Sequence, residues 1–65
     1  MSMSKKDYVA IAAALKDLRD GRDAGGDQQA VYGIEIAAEA IADVCEANNL
    51  RFDRNRFLAA CGVAQ

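Results

Sequence analysis

The run Gln28–Asn49, QQAVYGIEIAAEAIADVCEANN, decides the fold. Within it Val31, Ile34, Ala38, Ile41 and Cys45 alternate spacings of three and four, the period of a helix that buries one face. A second apolar strip, Gly33, Ile36, Ala37, Ala40, Val44 and Ala47, lies beside the first on the helical wheel. Together they cover roughly 200° of the circumference, about twice the stripe a surface helix normally buries. One neighbour cannot cover so wide a face. Asp27 is placed to cap the start, and Asn48 and Asn49 suit a left-handed exit, so the pattern predicts a helix over Gln28–Asn48, the longest element of the chain.

Upstream, Ser4 and Asp7 stand as N-cap and third residue of a capping box, with Met3 and Tyr8 at the positions of a hydrophobic staple. Tyr8, Ile11, Ala12, Leu15 and Leu18 then follow helical spacing, which predicts a first helix over Lys5–Arg19. The following Asp20–Asp27, DGRDAGGD, reads as a mobile connection, because it holds three glycines and nothing apolar above alanine. Its aspartates do not fall in the D-x-D-x-D-G order with a closing glutamate that a calcium loop needs, so no metal site is expected there. Downstream, Asp53 as N-cap, Phe52 and Phe57 as a second staple, and Gly62 as terminator predict a short third helix, Arg54–Cys61. The expectation is therefore an all-α fold, one three-helix domain over residues 1–65 with a long central and a short C-terminal helix, completed by oligomerisation. Its expected core is Tyr8, Ile11, Leu15, Leu18, Val31, Ile34, Ile41, Phe52, Phe57 and Leu58.

The composition narrows the chemistry. Of the apolar residues that make up 52% of the chain, fourteen are alanine, so large core side chains are scarce. A chain of 65 residues builds one marginal core and no second domain. With no histidine it lacks a His general base, a Ser/His/Asp triad, a Cys/His dyad and a Cys2His2 zinc site, which argues against an enzyme, and no cofactor or metal is implied. Eight basic against ten acidic residues give a net charge of −2, the wrong sign for a domain held on nucleic acid by its phosphates. The longest apolar run, Val9–Leu15, is far short of the roughly 18 to 20 residues of a membrane span. Lys5 and Lys6 before it imitate a secretory signal, yet Asp7 interrupts the flank and the helix reading is preferred. Cys45 and Cys61 are too few for a disulfide scaffold; they read as reduced core thiols, with a single bridge as the alternative.

Three constellations are candidate sites. Glu35, Glu39, Asp43 and Glu46 share one face of the central helix, with no lysine or arginine in that helix to offset them. They are either paired with Arg51, Arg54, Arg56 or Lys16 and Arg19 brought alongside by the fold, or merely solvated, or an acidic strip for a partner with a basic surface, such as a nucleic-acid-binding enzyme of a host. Arg51, Arg54 and Arg56 gather around the third helix, where the positive end of the helix dipole disfavours them. They are ion-paired, or they form an anion site for a phosphorylated molecule. Gly33, Ile36, Ala37, Ala40 and Val44 are the expected interface of a homo-oligomer, most simply a dimer.

The segment RFDRNRFLAACGV, Arg51–Val63, together with Lys6-Asp7-Tyr8 and the run Ile11–Leu15, resembles a group of small proteins encoded by bacteriophages and prophages. These carry KDY and IA.AL near the start and NPRFD..RF..ACG near the end; here Asn49-Leu50 stands where Asn-Pro is usual. The resemblance implies a small accessory protein working in the cytoplasm of a bacterial host. Capping and packing already account for most of the motif, leaving its arginines over. The leading expectation is a non-catalytic interaction module that binds and modulates a host protein, in host takeover or counter-defence. A sponge for a phosphorylated small molecule is the alternative, and a DNA-binding regulator a third reading, which the acidic charge and long central helix disfavour.

Overall fold

The computed structural model describes residues 3–63, and among these the chain forms three helices and no strand. α1 spans Lys5–Ala24, α2 spans Gln28–Asn48 and α3 spans Arg54–Ala60. The start of α1 is fixed by the expected capping box: the Ser4 N–H donates to Asp7 Oδ2 at 2.9 Å and the Ser4 hydroxyl donates to the same oxygen at 3.2 Å. Met3 stays exposed, and Tyr8 packs on Phe52 with ring centroids 4.9 Å apart.

α1 does not end at Arg19. It continues through Asp20-Gly21-Arg22-Asp23 to Ala24, and the expected mobile connection shrinks to Gly25, Gly26 and Asp27. A glycine inside a helix costs only about 1 kcal/mol, and the turn around Gly21 holds a Lys16–Asp20 ion pair at 2.6 Å. The stop comes from Gly26, whose φ of 79° only glycine adopts readily. There the Gly26 N–H donates to the Asp23 carbonyl and the Asp27 N–H to the Arg22 carbonyl, both at 3.0 Å, which closes a Schellman motif. Asp27 then opens α2, its carboxylate accepting from the Ala30 N–H at 3.0 Å.

α2 has the bounds the sequence predicts, with a different exit. Asn49 is extended, φ −149°, so the expected left-handed turn is absent, and the Asn48 side chain instead donates to the Val44 carbonyl at 2.8 Å. α3 begins at its Asp53 cap, which accepts from the Arg56 N–H at 3.0 Å. It ends one residue earlier than expected, with Cys61 as C-cap. Gly62 at φ 84° terminates it, the Val63 N–H reaching the Leu58 carbonyl at 2.9 Å.

The core is finer-grained than the sequence suggests. Ala12, Ala38, Ala42, Phe57, Leu58, Cys61 and Val63 form the buried cluster, with Tyr8, Ile11, Leu15, Ile41 and Phe52 packed half-buried around it. Leu18 is 47% exposed and lies outside the core, contrary to expectation, while Ile34 is only half-buried. The buried alanines Ala12, Ala38 and Ala42 fill little volume, and the large side chains of the buried cluster, Phe57 and Leu58, come from α3. Phe52 beside Tyr8, and Gly62 beside the stems of Lys16 and Arg19, show that α3 runs along α1 in the same direction. Cys45 and Cys61 are buried free thiols, so the single-bridge alternative falls away.

Candidate functional site

The acidic strip of α2 divides in two. Glu35, half-buried, accepts from Arg19 Nε at 2.9 Å, so the carboxylate braces α1 against α2. Asp43 is paired with Arg54, which ties α2 to the start of α3. Glu39 and Glu46 remain exposed, with no ion pair among the described residues. Half of the expected strip is therefore internal bracing, and half is a solvent-facing negative edge.

The same bridge breaks up the arginine trio. Arg54 is drawn to Asp43, while Arg51 and Arg56 line a groove of about 510 Å³ between the start of α1, the α2–α3 turn and α3. Lys5 joins them there, and Tyr8, Val9, Phe52 and Phe57 form its apolar walls. Asp53 also borders it, with its carboxylate engaged in capping. Lys5 could not be assigned to this site from the sequence, because only the direction of α3 along α1 brings Lys5 near Arg56. The groove offers cations over an aromatic surface, a setting for an anion with a flat or apolar body.

The third constellation is laid bare. Gly33, Ile36, Ala37, Ala40 and Val44 are all exposed, Ile36 at 47% and Val44 at 62%. Tyr32, 66% exposed, stands at the edge of this stripe beside the carboxylates. Its place at the margin of the wheel was the one signal for it. Among the described residues no three cysteine or carboxylate side chains converge as a metal site, and no helix is long and apolar enough to cross a membrane.

These surfaces belong to an all-α three-helix domain in which one helix is apolar on two opposite sides. Set against protein-family models, curated proteins and solved structures, the chain matches none of them.

Proposed function

We propose that this protein is a non-catalytic interaction module, a phage-type accessory protein of the bacterial cytoplasm that associates with itself and binds a host protein through a basic surface on that partner. One observation carries the reading: the outward side of α2 is an exposed apolar stripe bordered by Glu39 and Glu46, carboxylates with no ion pair among the described residues. Apolar stripes rimmed by charge are the usual anatomy of a contact surface. Both carboxylates stand outside the bridges that hold the helices together, so their charge can be reversed without loosening the fold. Affinity capture from bacterial lysate tests this. The unmodified protein is expected to retain a basic host protein that Glu39→Arg/Glu46→Arg loses while keeping its helical circular dichroism. Equal retention by both forms refutes the reading.

The groove supports a second reading, binding of a phosphorylated molecule with an aromatic body, for which Arg51, Arg56 and Lys5 supply the charge and Tyr8 and Phe52 the surface. Titration calorimetry with an adenine nucleotide separates the two: heat that disappears in Arg51→Gln/Arg56→Gln favours the groove, and its absence removes this reading.

A further inference from the structure

α2 is apolar on both of its long sides. Val31, Ala38, Ala42 and Cys45 are buried against α1 and α3. At about 100° per residue Ala40 lies diametrically opposite Val31, so the stripe centred on Ala40 faces straight out of the molecule. Along it Gly33, Ala40 and Ala47 follow one another seven residues apart, a nearly straight row of small side chains. Ile36 and Val44 stand four residues before and after Ala40, one on each shoulder of that row. The stripe thus reads the same in both chain directions: small, large, small, large, small.

We propose that a second copy of the chain covers this stripe, with α2 pairing antiparallel to α2 of its mate about a two-fold axis at Ala40. The inference rests on the reading of this side of α2 as a contact surface. In that register Ile36 drops into the hole formed by Ala40, Asp43, Val44 and Ala47 of the mate. Val44 drops into the hole formed by Gly33, Ile36, Ala37 and Ala40, which is knobs-into-holes packing in which two of the four residues around Ile36, and three of the four around Val44, are glycine or alanine. A parallel pair would instead set Ile36 against Ile36 and Gly33 against Gly33, one layer overfilled and the next empty. The antiparallel pair also places the positive end of each helix dipole beside the negative end of the other. At about 1.5 Å per residue α2 is roughly 31 Å long, and a stripe about 12 Å wide along it covers roughly 400 Å². That is near a tenth of the protein's 4647 Å² surface. It is also about half of the roughly 800 Å² per partner in a standard stable interface, which places the pairing among small, reversible interfaces.

A two-fold axis across paired helices keeps like flanks on the same side. Glu39 and Glu46 of both copies therefore meet along one edge of the pair, and Ala37 and Ile41 of both along the other. The dimer joins two short negative edges into one acidic face, the surface offered to the basic partner. Repulsion across that edge opposes pairing, so added salt tightens the dimer while it loosens capture of the basic partner.

Sedimentation equilibrium at about 100 µM tests the pairing, with a mass twice 6.9 kDa expected for the unmodified protein and a single chain for Ala40→Arg at unchanged helicity. Dissociation is expected to weaken severalfold between about 50 and about 500 mM salt. Orientation is read by cysteine placement: Ala40→Cys, on the axis, is expected to cross-link to itself, Gly33→Cys alone not, and a mixture of Gly33→Cys with Ala47→Cys to form the heterodimer. A single-chain mass in both salts overturns the dimer, and Gly33→Cys cross-linking as readily as Ala40→Cys overturns the antiparallel register. If a single-chain mass accompanies capture of a host protein that Ala40→Arg abolishes, the self-pairing falls while the contact surface stands.

Discussion

Two glycines separate the effect of conformation from that of space. Gly62 stands at φ 84°, and a Cβ built there would lie 3.6 Å from Arg19 Cδ, an ordinary contact. Gly62→Ala is therefore expected to destabilise through backbone strain alone, by about 1–2 kcal/mol. Gly21 sits inside α1 with nothing within 4 Å of a built Cβ. Gly21→Ala is accordingly expected to stabilise by about 1 kcal/mol. Paired urea melts check both signs, and a stabilising Gly62→Ala would show that the α3 stop does not constrain the fold. The thiols supply a second residue-scale prediction. Burial pushes both Cys45 and Cys61 above the ordinary thiol value of 9.0. A pKa raised in the folded state favours the neutral thiol there, so this contribution is whole below about pH 9 and is lost as pH climbs through the folded values. Urea melts are expected to show falling stability above that pH, and the loss is expected to shrink in Cys61→Ala/Cys45→Ala.

At the scale of elements, what was legible depended on whether the deciding signal was local. The Ser4–Asp7 box, the Asp27 and Asp53 caps and the Gly62 stop are contacts among neighbours in sequence, and each stands where the residues put it. The end of α1 lies beyond the break that Gly21 suggests, because the Schellman pair at Gly26 and the Lys16–Asp20 bridge carry the helix past it. Leu18 fits the α1 stripe by spacing, yet α3 packs along the other shoulder and leaves it exposed. The same long-range fact split the arginines, sending Arg54 to Asp43 and Arg56 toward Lys5. α3 is short, and Phe57 and Leu58 are its two buried side chains. Phe57→Ala removes one of them at about 3–5 kcal/mol, comparable to the whole stability of a domain this size. Loss of the cooperative thermal transition is expected, and an unchanged melting temperature would show that α3 is not part of the core.

The whole molecule is small, 36 × 19 × 17 Å, and its interior is rich in alanine and short of large side chains. Such a core leaves little margin, and a domain of this kind gains stability from anything that binds its folded form. If α2 pairs with α2 of a second chain, folding and association are linked, and the melting temperature must depend on protein concentration. The linkage has a definite size: a hundredfold excess over the dissociation constant adds about 2.7 kcal/mol to a one-site equilibrium. For a domain of this length 1 kcal/mol shifts the midpoint by about 4–8 °C. Between about 5 and about 500 µM the midpoint of the unmodified protein is therefore expected to rise by several degrees, and further at high salt, where the joined acidic edge is screened. Ala40→Arg is expected to melt at one temperature across the same range, at or below the lowest value of the unmodified protein. Differential scanning calorimetry over that series decides the matter, because a melting point of the unmodified protein that is independent of concentration is incompatible with a native state stabilised by its own copies.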